Sequence, residues 1–157
     1  MGRIVAHVRV TNVGDLTESV FSDALVDTGA SFLVLPRAWR QRFKNLPRLY
    51  DVEMETADQR SLQAEVCGPV RIEIEGFRPV HGDIAFVEMT PVEGEYEPLL
   101  GYLPLEQAGV AVDMLGHRLV QAKRMDLKSL ASTRARNRLA ESLTRGRDAR
   151  ATPHQGS

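Results

Sequence analysis

The chain has 157 residues, 26% of them charged and 43% hydrophobic, and a formal net charge of -1. That is one domain's length with enough apolar content for a core, and the charge balance argues against a general polyanion binder. No apolar run approaches the ~18 residues of a membrane span. The N-terminus lacks a signal-peptide pattern and the single Cys67 cannot form an internal disulfide, so a soluble, cytoplasmic protein is expected.

From Arg3 to Thr11, Ile4, Ala6, Val8 and Val10 alternate with Val5, His7 and Arg9, the period of a half-buried strand. His7 falls on its polar side and reads as a surface residue. Asn12 to Asp15 carries a turn signal, and a second strand from about Val20 runs to Asp27, so the two form a hairpin that delivers a carboxylate. Ala24, Leu25 and Val26 are a short apolar run, Gly29 gives the freedom for a sharp turn, and Phe32 to Leu35 is a second apolar strand. An ionised group is costly to hold between apolar strands without partners, so Asp27 calls for a structural or a catalytic explanation. Asp-Thr-Gly by itself is an ordinary turn sequence; its apolar flanks are what single it out.

Pro36 suits the first position of a helix over 37–44, with Trp39 and Phe43 on its core-facing side. Val52 and Met54, then Leu62, Ala64 and Val66, flank the polar tip Ala57-Asp58-Gln59-Arg60 and predict a hairpin. Val70, Ile72 and Ile74 predict a further strand, Gly76 to Pro79 a turn, and His81 to Val87 another strand. Thr90 to Glu97 reads as a loop. After Leu99-Leu100-Gly101 come a short helix and a last hairpin, Val110 to Asp113 with Arg118 to Gln121, in which Asp113 is assigned no chemistry. Cys67 has no neighbouring His or second Cys and reads as a packing residue. Residues 1–123 thus form the domain and 124–157 a basic, weakly helical to disordered tail. From Asp126 to Ser157 that tail carries seven Lys or Arg against three acids, a solvated segment and the one hint of a nucleic-acid or acidic partner.

Two segments carry a resemblance. Leu25-Val26-Asp27-Thr28-Gly29-Ala30 resembles the active-site segment of retropepsin-like aspartic proteases, the retroviral type. About seventy residues on, Pro98-Leu99-Leu100-Gly101, followed by 102–107 and by Gly109 to Asp113, resembles that family's closing segment. The resemblance spans residues 4–121. It implies an all-β fold, a small closed β-barrel with one short C-terminal helix and a flap hairpin. It also implies that Asp27 is catalytic, that Thr28 bridges two active-site loops, and that Gly29, Ala30 and Ser31 meet the substrate. Ala57 and Asp58, at the hairpin tip, are expected to close over it. The tip lacks the glycines of retroviral flaps, and Tyr102 stands where retroviral members often carry a polar or charged residue.

Aspartic peptidase chemistry needs two carboxyl groups sharing one proton, and this chain has one Asp-Thr-Gly. The resemblance therefore implies a homodimer with one Asp27 from each subunit, hydrolysing extended or unfolded polypeptide with no cofactor. No metal-ligand spacing, Gly-rich phosphate loop or Ser/His pairing competes with this reading. The alternative is a non-catalytic peptide-binding or dimerisation module of the same fold, with the basic tail contacting a partner.

Overall fold

The computed structural model describes residues 3–55 and 59–122. Strands β1 (Val5–Asn12) and β2 (Asp15–Val26) form an antiparallel hairpin in which Ala6 lies opposite Ala24 and Val10 opposite Val20. Ala6, Val8 and Val10 are buried while Val5, His7 and Arg9 are exposed, as the alternation requires. The turn is fastened by Asn12, whose Oδ1 accepts from the Gly14 N–H at 2.9 Å and whose amide donates to Glu18 at 2.8 Å. β2 starts at Asp15, several residues before the expected Val20; Leu16 and Thr17 are exposed and Glu18 is half-buried, so this part of the strand shows no apolar alternation.

β3 (Leu33–Pro36) is buried on both faces. Pro36 ends this strand and caps a 3₁₀ helix, Arg37–Phe43, in place of the expected helix beginning at Pro36. The two aromatic residues do pack: Phe43 is fully buried against Phe86, ring centroids 6.0 Å apart, and the half-buried Trp39 stands edge-on to Tyr96. Arg40 closes the helix, donating to Glu65 at 3.1 Å, to the Leu46 carbonyl at 2.8 Å and to the Phe43 carbonyl.

β4 (Arg48–Glu55) pairs antiparallel with β5 (Ser61–Ile74), Val52 opposite Ala64 and Met54 opposite Leu62. The two strands expected at 62–66 and 70–74 are one 14-residue strand. Gly68-Pro69 interrupts its register instead of ending it: Cys67 lies opposite Ile84 and Val70 opposite Gly82 of β6 (Val80–Val87). β7 (Leu99–Leu100) lies between β2, to which it is parallel, and β3, to which it is antiparallel. Helix α1 (Tyr102–Gln107) follows, and then β8 (Val110–Asp113) and β9 (Arg118–Gln121) make a separate two-stranded sheet.

The main sheet runs β1-β2-β7-β3-β6-β5-β4, and β5 also pairs with β1, so six strands close on themselves and β4 extends outward from β5. The larger core fills the inside with Val10, Leu33, Leu35, Phe43, Ile72, Ile84, Phe86 and Leu100. A smaller cluster, Val34, Ala64, Val66, Ala85 and Val87, lies on the opposite faces of the same strands, with Phe32, Val52 and Met54 packed on it. The residues expected at the hairpin tip, Ala57 and Asp58, and the tail 124–157 lie outside the described residues. No helix among the described residues is long and apolar enough to cross a membrane.

Candidate active site

The apolar run Ala24 to Val26 ends β2, and the chain turns at Asp27, Thr28 and Gly29 before entering β3. Strand pairing fixes the approach: Leu25 N–H donates to the Pro98 carbonyl and Val26 N–H to the Ile4 carbonyl, both at 2.8 Å. Asp27 N–H donates to the Leu100 carbonyl at 3.0 Å, and Ala30 N–H closes the turn on the Asp27 carbonyl at 3.1 Å. The Asp27 carboxylate accepts the Gly29 N–H at 3.0 Å, which sets the side chain's direction.

The far side of the loop is held by the segment that follows β7. Gly101 N–H donates to the Phe32 carbonyl at 3.0 Å, Tyr102 N–H to the Ala30 carbonyl at 2.9 Å and Leu103 N–H to the Ser31 carbonyl at 3.1 Å. A Cβ on Gly101 would lie 2.6 Å from the Ala30 oxygen and 2.7 Å from the Ser31 carbonyl carbon, so only glycine allows this approach. The two segments singled out in the sequence thus meet as one hydrogen-bonded unit.

Asp27 is half-buried at one side of a cleft of about 640 Å³, beside Gly29, Ala30 and Ser31. Val52, Met54 and Leu62 of the hairpin face it, with Phe32, Val34, Val87 and Leu99 completing an apolar wall. Glu53 and Glu55 of β4 also line it. Thr28 is exposed beside the cleft and does not line it. Of the residues expected here, Asp27, Gly29, Ala30 and Ser31 are brought together. The wall residues were missing from that expectation, although the alternation of Val52 and Met54 with Glu53 and Glu55 signals a one-sided apolar face.

A carboxylate on an otherwise uncharged floor, opposite an apolar wall, suits an extended chain whose side chains enter the wall while its backbone passes Asp27. Among the described residues no group of three or more His, Cys, Asp or Glu side chains is placed to hold a metal ion.

A second cavity, about 730 Å³, opens on the outer face of β1, β2 and β5 beside His7, Phe21, Asp23 and Glu75. The exposed His7 ring bonds to Asp23 through Nδ1, and its Nε2 lies 3.9 Å from a Glu75 oxygen. The hydrogen bond that His7 donates to Asp23, then the Asp23 charge, raise the His7 pKa above 6.5; burial opposes them, and the Glu75 charge adds a weaker push upward.

Among solved structures, the chain is similar to that of EIAV protease complexed with the inhibitor HBY-793. The TM-score is 0.53 at 20% sequence identity, covering 72% of this chain and 94% of that one. The protein therefore has the fold of a retroviral protease, a retropepsin-like all-β fold. No protein-family model matches the chain, and no curated protein matches it by sequence.

Proposed function

We propose that the protein is an aspartic endopeptidase that works as a homodimer on extended or unfolded polypeptide. One observation carries this reading: Asp27 is held at the floor of an open, apolar-walled cleft by a loop bonded on both sides to the Pro98–Leu103 segment. The retropepsin-like fold supports it.

In this reading two Asp27 carboxyl groups, one per subunit, face each other across a twofold axis and share one proton, since two like charges so close do not both ionise readily. The unprotonated group takes a proton from a water molecule while the water oxygen bonds to the peptide carbonyl carbon. The protonated group gives its proton to the carbonyl oxygen. The tetrahedral adduct then collapses: the first carboxyl passes the water's proton to the leaving nitrogen, the C–N bond breaks, and one hydroxyl of the adduct returns a proton to the second carboxylate, leaving a carboxylic acid, an amine and a dyad that again shares one proton. The titration belongs to the pair and not to either residue.

Thr28, exposed at the loop, bridges to the second loop in this arrangement, and the Gly29 backbone with Ala30 and Ser31 meets the peptide. The β4–β5 hairpin acts as the flap, with Ala57 and Asp58 at its tip and Val52, Met54 and Leu62 against the substrate side chains. A cytoplasmic setting belongs to the same reading, with the lone Cys67 free and buried.

The test is cleavage of an unfolded polypeptide by purified protein across pH. An optimum below neutrality is expected, with cleavage lost in Asp27→Asn while the variant still dimerises. Wild-type turnover in that variant would rule the mechanism out, and peptide binding without any cleavage by the intact protein would favour the binding module instead.

A further inference from the structure

We infer that Tyr102 and Leu103, the first two residues of α1, form the contact through which a second copy of this chain seats against the active-site loop. The inference rests on the aspartic peptidase reading, which leaves the site incomplete without a second Asp27.

Three observations carry it. First, both residues are large, apolar and exposed, Tyr102 by 43% and Leu103 by 38%, although they lie on a helix whose next residues, Pro104 and Leu105, are buried. Second, their backbone N–H groups are bonded to the Ala30 and Ser31 carbonyls at 2.9 and 3.1 Å, so they move as one body with the loop that aims Asp27. Of the other exposed apolar side chains, Leu16 lies at the β1–β2 hairpin and Leu115 at the β8–β9 turn, while Val5 lies opposite Leu25 on the strand that leads into the loop.

Third, the charge pattern suits a symmetric contact. At a twofold interface any group near the axis meets its own copy, so charges there repel. Thr28, Gly29, Tyr102 and Leu103 are all exposed and none is charged, in a chain with 26% charged residues. An axis passing between two carboxylates about 3 Å apart must bring the surface around each loop against its partner. Tyrosine is among the residues most enriched at the centres of such contacts.

The experiment is sedimentation of wild type, Tyr102→Glu and Leu103→Glu over a range of concentrations, with circular dichroism on each and a cleavage assay alongside. Each glutamate is expected to raise the dimer dissociation constant about tenfold or more without changing the spectrum. Hydrogen exchange on the wild type supplies a reading that no variant can spoil: residues 101–107 should gain protection as concentration rises through the dissociation constant. Unchanged dimerisation in both variants, a wild type that stays monomeric, or no gain in protection would overturn the inference. So would variants that remain dimeric yet lose cleavage, which would assign this face to the peptide. Full cleavage by Asp27→Asn, in contrast, would remove the catalytic reading and leave the measured interface in place.

Discussion

Gly101 and Ala30 approach so closely that a methyl group on Gly101 would stand 2.6 Å from the Ala30 carbonyl oxygen. The neighbour is backbone, which cannot rotate away as a flexible side chain can. Gly101→Ala should therefore cost about 1–3 kcal/mol, the usual range for overpacking. It should also separate the two halves of the Asp27 loop. A urea denaturation midpoint unchanged from wild type would contradict this placement.

Phe43 tests the core. It is fully buried against Phe86 at the end of the 3₁₀ helix, and truncation to alanine leaves a cavity that the closed sheet has little freedom to fill. Phe43→Ala is expected to lose about 3–5 kcal/mol of stability. Denaturant unfolding monitored by Trp39 fluorescence reads this directly.

His7 gives a pH dependence with a definite sign. Its pKa in the folded protein is raised above 6.5, first by the hydrogen bond with Asp23 and then by that residue's charge. A group of this kind contributes stability that is fully present below its unfolded pKa and is lost as pH rises through the folded value. Wild type should accordingly exceed His7→Gln in stability in mildly acid buffer, and the gap should close in alkaline buffer. NMR titration of the ring should report a pKa above 6.5; a value below it would break the argument, as would a gap that widens with pH.

Cys67 should be chemically silent in the native state. Burial pushes its thiol up to about 11, with the nearby Glu65 adding to the effect and Arg40 opposing it. Only a thiolate reacts readily with alkylating agents. Labelling near neutral pH is expected to follow the rate of unfolding, and fast labelling of folded protein would show that the side chain is reached from solvent.

The parts of the molecule that were legible in the sequence are those where local pattern and tertiary role agree. The alternation of Ala6, Val8 and Val10 identified β1, and Val110 to Asp113 with Arg118 to Gln121 emerged as the hairpin expected. Asp27, Gly29, Ala30 and Ser31 converge on one cleft because they share a single turn. What was not legible depends on distant partners. Gly68-Pro69 reads as a break, yet β4, β6 and β1 pair along β5 on either side of it and carry the strand through. Leu16 to Glu18 show no apolar period and have no opposite residue on β1; they belong to β2 because Asp15 opposite Asn12 and Ser19 opposite Thr11 bracket them. The cleft's apolar wall was hidden for the same reason: Val34, Val87 and Leu99 lie on three strands that meet only after folding.

β7 is the shortest strand of the main sheet and the last of the seven in chain order, yet it lies between β2 and β3, two strands whose residues precede it by more than sixty positions. A ribosome must therefore have translated past Leu103 before the Asp27 turn gains its supports from Leu100, Tyr102 and Leu103, although the Ile4 carbonyl is in place from the start. A nascent chain carries the acidic side chain long before it carries the means to aim it, and any hydrolytic capacity arrives only when synthesis of the domain is nearly done.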